Sequence, residues 1–315
     1  MRYSLVNRVR GAFLGILLGE RLATQNLCNL AEIAVLGSKS LIRLGRLETD
    51  EWLIFYQKLS VNSKTESVLR VKVVLATLPI AVFFHENTDK LKDNLLQVLQ
   101  VWDIEPVVKD VALVFGYAIA KSLRQTLNPC QLISQIVSFI GETTTDTPQN
   151  LHKVKVLLEE GAGLKQVQAE FSQPELSNYM ALALYCFLST TEDFQLAVLR
   201  SQKNFSKHSS RYIDKDITGA LTGALTGALT GAYNGTIAIP VSWQMLLCET
   251  DSLLWGQNQN ISDQILKLAD DLVAVWSGAY NITPHTHELT KEECRVSWNL
   301  NPMSVTAAPS VIRPR

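Results

Sequence analysis

The longest uncharged stretch of the chain runs from Ile217 to Cys248, and its first half repeats Thr-Gly-Ala-Leu three times before a fourth unit begins at Thr230. A helix turns about 100° per residue, so a four-residue period drifts only about 40° per unit and winds Thr, Gly, Ala and Leu round the axis as separate stripes. Every face is small or apolar, and the pattern predicts a buried central helix. Its glycines, Gly219, Gly223, Gly227 and Gly231, each cost about 1 kcal/mol relative to alanine in a helix interior. Close approach of a second helix would offset that cost. Residues 5–19, LVNRVRGAFLGILLG, carry Gly11, Gly15 and Gly19 at the same spacing, so the two striped helices are expected to pack together. Tyr233-Asn234-Gly235 should unwind the central helix before Pro240.

The rest of the chain shows the same helical period. Asn29 to Leu44 reads as an amphipathic helix closed by Gly45, and Thr49 or Asp50 caps another running from Glu51 to about Leu59. Pro79 should kink or end the helix that starts at Glu66. A further helix starts near Asn87 or Asp89, and Glu105-Pro106 opens one that Asn128-Pro129 ends. Cys130 to Ile140 follows, then the loop-like Gly141 to Gln149, a candidate subdomain boundary. Residues 151–171, 174–190 and 191–205 each carry helical periodicity, with Thr191-Glu192-Asp193 as a start signal, and Ser262 to Trp276 is the last helix. No alternating run bounded by hairpin turns occurs, so the expected class is all-α. We expect one compact helical domain over residues 1–280, built round the Gly/Ala-rich helix, and a disordered tail over 281–315 containing Pro284, Pro302, Pro309 and Pro314.

Composition narrows the function classes. With 315 residues, 47% hydrophobic, the chain can bury a large core. Its 29 basic and 30 acidic residues leave a net charge of −1, which argues against a nucleic-acid partner. Cys28, Cys130, Cys186, Cys248 and Cys294 lie far apart, mostly in apolar runs, as suits buried free thiols in a reducing cytoplasm. Arg8 and Arg10 ahead of an apolar run imitate a signal peptide, but Glu20-Arg21 follow at once and no small-residue cleavage site appears. Residues 217–248 contain the G-x-x-x-G of membrane helices, yet they are mostly Gly, Thr and Ala and are broken by Pro240. No membrane association is expected.

Three segments, in order, resemble the ADP-ribosylglycohydrolase family. Arg10-Gly11-Ala12-Phe13-Leu14-Gly15-Ile16-Leu17-Leu18-Gly19-Glu20 is similar to its opening R-G-A-x-x-G-x-x-x-G-D helix. Thr77-Leu78-Pro79-Ile80-Ala81 is similar to its proline-marked helix. Asp214-Lys215-Asp216, the Gly-Ala helix, Tyr233-Asn234-Gly235 and Ile239-Pro240 with Trp243 are similar to its D-x-D-T, Gly-Ala and I-P-x-x-W sequence. The resemblance implies an all-α domain whose cleft holds two divalent ions, usually magnesium, and cleaves ADP-ribose from a modified acceptor. It implies ADP-ribose or an ADP-ribosylated protein as partner, and it places Asp214 and Asp216 as metal ligands. Paired cations need several carboxylates, and negative charge stabilises an oxocarbenium-like transition state.

The chain departs from that pattern where the acids should be. Glu20 replaces an aspartate, and Ile217 takes the place of a metal-binding threonine. Counting back from Ser40-Leu41 puts Cys28-Asn29-Leu30-Ala31 where the family has T-D-D-T; a rival alignment would use Thr49-Asp50-Glu51. The family pattern therefore leads to two expectations. In one, the fold is kept, catalysis is lost, no cofactor is needed and no catalytic residue is assignable, as in the family's non-enzymatic members, a lens crystallin among them. In the other, a magnesium-dependent hydrolase rebuilds its site from Glu20, Asp50, Glu51, Asp214 and Asp216. Asp216 just ahead of a helix also fits an ordinary N-cap, with Asp214 favourable to the helix dipole. His285, His287, Glu288 and Cys294 have the residue types of a zinc site but not its spacing. His85 and His208 are expected at the surface, and the tryptophans in packing roles.

Overall fold

The computed structural model describes residues 3–24, 29–62, 65–202, 212–248 and 261–279, with backbone alone for 58–62, 212–217, 248 and 261–262. These residues form α-helices and one 3-10 turn, with no strand among them. The axis of the fold is the pair α1 (Leu5–Arg21) and α13 (Tyr212–Asn234). Gly11 meets Gly231 and Gly235, Gly15 meets Gly227, and Gly19 meets Gly223, so the two helices run antiparallel with their backbones in contact. A Cβ at any of these α1 glycines would fall within 3.0 Å of facing backbone atoms. That closeness allows Cα–H···O contacts between the helices and answers the glycine cost raised by the sequence. Gly219 is different, since a Cβ there would find its nearest atom, the Gln202 carbonyl oxygen, 3.4 Å away.

All stripes of α13 are buried. Ala220, Ala224, Ala228, Ala232, Leu221, Leu225 and Leu229 are fully covered, as are Thr222, Thr226 and Thr230. The threonines are tolerated there because each hydroxyl donates to the carbonyl four residues back, Thr222 to Thr218 at 2.9 Å, Thr226 to Thr222 at 2.9 Å and Thr230 to Thr226 at 2.7 Å. An unbonded buried hydroxyl would cost about 1–3 kcal/mol. The ends of the pair are tied down separately. Thr236 N donates to the Asn7 carboxamide at 3.3 Å, and Gln202 Nε2 donates to the Gly19 carbonyl at 3.1 Å. Arg8, also buried, donates through Nη1 to the Ser122 carbonyl at 2.9 Å, and desolvation lowers its pKa to about 10. Gly235, at φ 69°, ends α13 where the sequence placed the unwinding.

Other helices wrap this pair. α7 (Pro106–Leu123), α11 (Leu176–Ser189) and α12 (Phe194–Gln202) pack on α13, while α15 (Ile261–Ser277) packs on α1, where Arg10 pairs with Asp270. α2 (Glu32–Leu44) lies among α15, α4 (Glu66–Ala76) and α5 (Leu78–Phe83). Gly37 of α2 makes room for the buried ring of Trp52 on α3 (Thr49–Asn62). Trp52 stacks 5.9 Å from Trp102, which follows α6 (Thr88–Val101) and whose indole donates to the Trp52 carbonyl at 2.8 Å.

Several boundaries differ from the sequence reading. α2 begins at Glu32, and the run from Glu66 breaks at Thr77, with Pro79 in the first turn of α5. α7 stops at Leu123, and Asn128 instead caps α8 (Pro129–Ile140) by accepting from Cys130 N at 3.1 Å. Residues 151–171 split into α9 (Thr147–Glu159) and α10 (Leu164–Glu170), because Gly161 takes φ 62° between them. The loop before α9 is anchored: Thr143 and Thr145 hydroxyls each donate to the buried Asp110 carboxylate at 2.5 Å. His85 is buried, not at the surface; its Nδ1 lies 2.7 Å from the Val82 carbonyl and its ring 4.7 Å from that of Trp276. Cys186 is a buried free thiol, but Cys130 is exposed. The other three cysteine side chains, His208 and the tail lie outside the described residues. Among the described residues no helix is long and apolar enough to cross a membrane.

Candidate functional site

The antiparallel register brings the C-terminal turn of α1 and the N-terminal turns of α13 to one end of the bundle. Glu20 is on the first, and Asp214 and Asp216 are on the second. α13 starts at Tyr212, so both aspartates lie inside its opening turns and Asp216 is not its N-cap. The boundary was hidden because a charged run such as RYIDKD is compatible with a solvated first turn as well as with a preceding loop. The side chains of Asp214, Asp216 and Ile217 lie outside those described.

Glu20 is 2% exposed. Its Oε2 accepts from the Leu30 amide at 3.0 Å, and its carbonyl accepts from Ala23 and Thr24 at 3.2 Å each. The carboxylate thus ties the end of α1 to the chain entering α2. That entry is made by Asn29 at φ 55°, a left-handed conformation asparagine adopts readily, and its carbonyl accepts from Glu32 N at 3.2 Å. Leu30 and Ala31 are buried in the core. The described part of the segment that the gapless alignment sets against T-D-D-T, Asn29 to Ala31, is therefore directly ahead of α2 and carries one amide and two apolar side chains, while Cys28 lies outside the described residues.

A cation absent from the sequence reading stands beside this turn. Lys72 of α4 has a side chain only 5% exposed, with Nζ 3.6 Å from Glu32 Oε2. Burial of an ammonium group requires such a partner. The sequence signal was a lysine set in the apolar run VLRVKVVLA. The rival alignment fares differently. Glu51 accepts from Ser40 Oγ at 2.6 Å and pairs with Arg43; burial alone would raise its pKa, but those two partners hold it below the usual glutamate value. Asp50 is exposed. Both acids are thus accounted for by α2 and by solvent.

Among the described residues, no three His, Cys, Asp or Glu side chains gather as they would round a metal ion. The proline-marked segment, Thr77 to Ala81, is fully buried core. Trp243 packs edge-on to Phe194 with centroids 6.2 Å apart, and Tyr233 does the same to Phe187 at 5.9 Å. His285, His287, Glu288 and Cys294 fall outside the described residues.

The fold is thus an all-α bundle centred on a glycine-interlocked helix pair, with acids at one end of the pair. The sequence model of the ADP-ribosylglycohydrolase family matches residues 37–281, and the chain belongs to that family. A solved structure described as an "ADP-ribosylglycohydrolase-related protein complex" shares the fold at a TM-score of 0.61 and 16% identity, over 87% of this chain and 99% of that one. No curated protein matches the chain. Helix α1 and the Asn29–Ala31 turn precede the matched residues, and it is packing against α13 that joins α1 to them.

Proposed function

We propose that this chain is a catalytically degenerate ADP-ribosylglycohydrolase, which keeps the family's architecture and serves by binding ADP-ribose or an ADP-ribosylated protein rather than by hydrolysing the linkage. One observation carries the reading: ahead of α2, where the family's ligands would stand, Leu30 and Ala31 are buried apolar residues and the nearby Glu20 carboxylate is committed to the Leu30 amide. A pair of magnesium ions needs several oxygen donors at about 2.1 Å. The described donors do not fit that demand, so no hydrolytic step is derived through metal. The buried Lys72 supports the same reading, since its ammonium takes up the Glu32 carboxylate beside this turn and leaves one acid fewer for a dication.

The test is release of ADP-ribose from ADP-ribosylated arginine and serine peptides with magnesium or manganese added, alongside calorimetry with free ADP-ribose. No release together with saturable binding is expected. Turnover that disappears in the Asp214→Ala, Asp216→Ala double variant would establish the hydrolase reading instead. Absence of both turnover and binding would leave a scaffold role.

A further inference from the structure

α7, α8, α9 and the start of α6 border an open surface groove of about 640 Å³ that shares no residue with the end of the bundle holding Glu20. Its size falls in the range of small-molecule sites, roughly 300–1,000 Å³. The floor is aromatic: the rings of Tyr117 and Phe139 lie 4.6 Å apart, both largely buried. The surroundings are cationic. Lys155 forms part of the wall; behind the rings, Lys121 Nζ stands 5.2 Å from the Tyr117 ring centre, and Lys92 Nζ, 5.4 Å from that of Phe139, donates to the Phe139 carbonyl at 2.5 Å. Ser134 and Ser138, one turn apart on α8, add hydroxyls, the second donating to the Ser134 carbonyl at 3.1 Å, and no carboxylate lines the groove. Lys155 reaches Glu159 only at 3.9 Å, with the acid 65% exposed, so its ammonium is weakly held.

We propose that this groove binds a small aromatic anion, with the ring along the Tyr117–Phe139 floor and a phosphate or carboxylate met by Lys155 and the Ser134 hydroxyl. Lys155 on the wall, with no lining acid to neutralise it, selects for negative charge, because an ammonium at a partly desolvated rim gains more from an anion than from water. The Tyr117 and Phe139 side chains, where they reach the groove, favour a flat apolar body. Neither feature alone would distinguish a bare anion or a neutral aromatic compound from a molecule carrying both.

Cys130, exposed and lining the groove, is a built-in reporter. The experiment measures iodoacetamide alkylation of the Cys130 peptide by mass spectrometry in the full chain, with 1-naphthyl phosphate, 1-naphthol or inorganic phosphate added. Naphthyl phosphate should slow alkylation about tenfold at ten times its dissociation constant, as mass action requires, with little effect from the other two. Lys155→Gln should raise the dissociation constant about tenfold, so that the same concentration slows alkylation only about twofold, while leaving the melting temperature unchanged. The proposal is overturned if alkylation is unaffected by naphthyl phosphate, if naphthol or phosphate protects equally well, or if Lys155→Gln protects as the parent does.

Discussion

Replacing Gly227 by alanine sets two effects of opposite sign against each other. In an isolated helix the change would stabilise by about 1 kcal/mol. In this fold the new Cβ would land on the Gly15 carbonyl, and the obstruction is backbone, which has no rotamer to yield. The helices would have to part by on the order of 1 Å, and a gap of that size forfeits a quarter to a half of the dispersion energy of each contact along the seam. Overpacking of this kind costs about 1–3 kcal/mol, and with no soft neighbour the upper end applies, for a net loss of about 2 kcal/mol. In a domain of this size that lowers the melting temperature by about 3–4 °C. Gly219→Ala is the control on the same helix. Its nearest neighbour at 3.4 Å is in ordinary contact distance, so propensity prevails and a gain of about 0.5–1 kcal/mol, or about 2 °C, is expected. Thermal and urea unfolding followed by circular dichroism measure both. Equal signs for the two variants, or a Gly227→Ala protein as stable as the parent, would refute backbone contact between α1 and α13.

Three further outcomes are expected. Burial pushes the Cys186 thiol up to about 12, so in the native protein it should resist alkylation at mildly alkaline pH while Cys130 reacts; equal rates by mass spectrometry would contradict its placement. Glu51 has a folded-state pKa below its ordinary value, so its contribution is present above that value and lost as pH falls through the folded one. Glu51→Gln should therefore cost less than about 1 kcal/mol at neutral pH, and urea titrations should show the difference vanishing in acid. Asp110→Ala removes the acceptor shared by Thr143 and Thr145, which should cost about 2 kcal/mol and speed cleavage after Glu142 by a glutamate-specific protease; unchanged cleavage would show that the loop is held by other means.

How much of this was legible depends on the range of the forces involved. The four-residue glycine period announced both the buried helix and its partner, because backbone contact leaves its mark at every turn. Local caps were equally readable: Asn87 accepts from the Asp89 and Lys90 amides at 3.0 Å each, and Gly45 closes α2 at φ 66°. What failed to show was tertiary. Lys72 meets Glu32 from another helix, and Glu51 is occupied by Ser40 and Arg43, both residues of α2. Asp110, an acid in the apolar stretch VVKDVALVF, was the overlooked sign of a buried anchor, but nothing nearby in sequence named Thr143 and Thr145 as its donors.

A periodic seam fixes distance well and position poorly. Sliding α13 along α1 by one Thr-Gly-Ala-Leu unit, about 6 Å, would set glycine against glycine again, and leucine, alanine and threonine would return to nearly the same surroundings. The interlock is thus close to degenerate, and the correct alignment must come from the few contacts that do not repeat. Asn7 with Thr236 at one extremity is such a contact, and at the other Gln202 of α12, a helix packed on α13, holds the Gly19 carbonyl of α1; the two work as end stops on a ratchet. Duplication or loss of a repeat unit would leave the helix content intact while moving one stop off its seat, so in this chain a change in repeat number is a change in alignment at the acidic end.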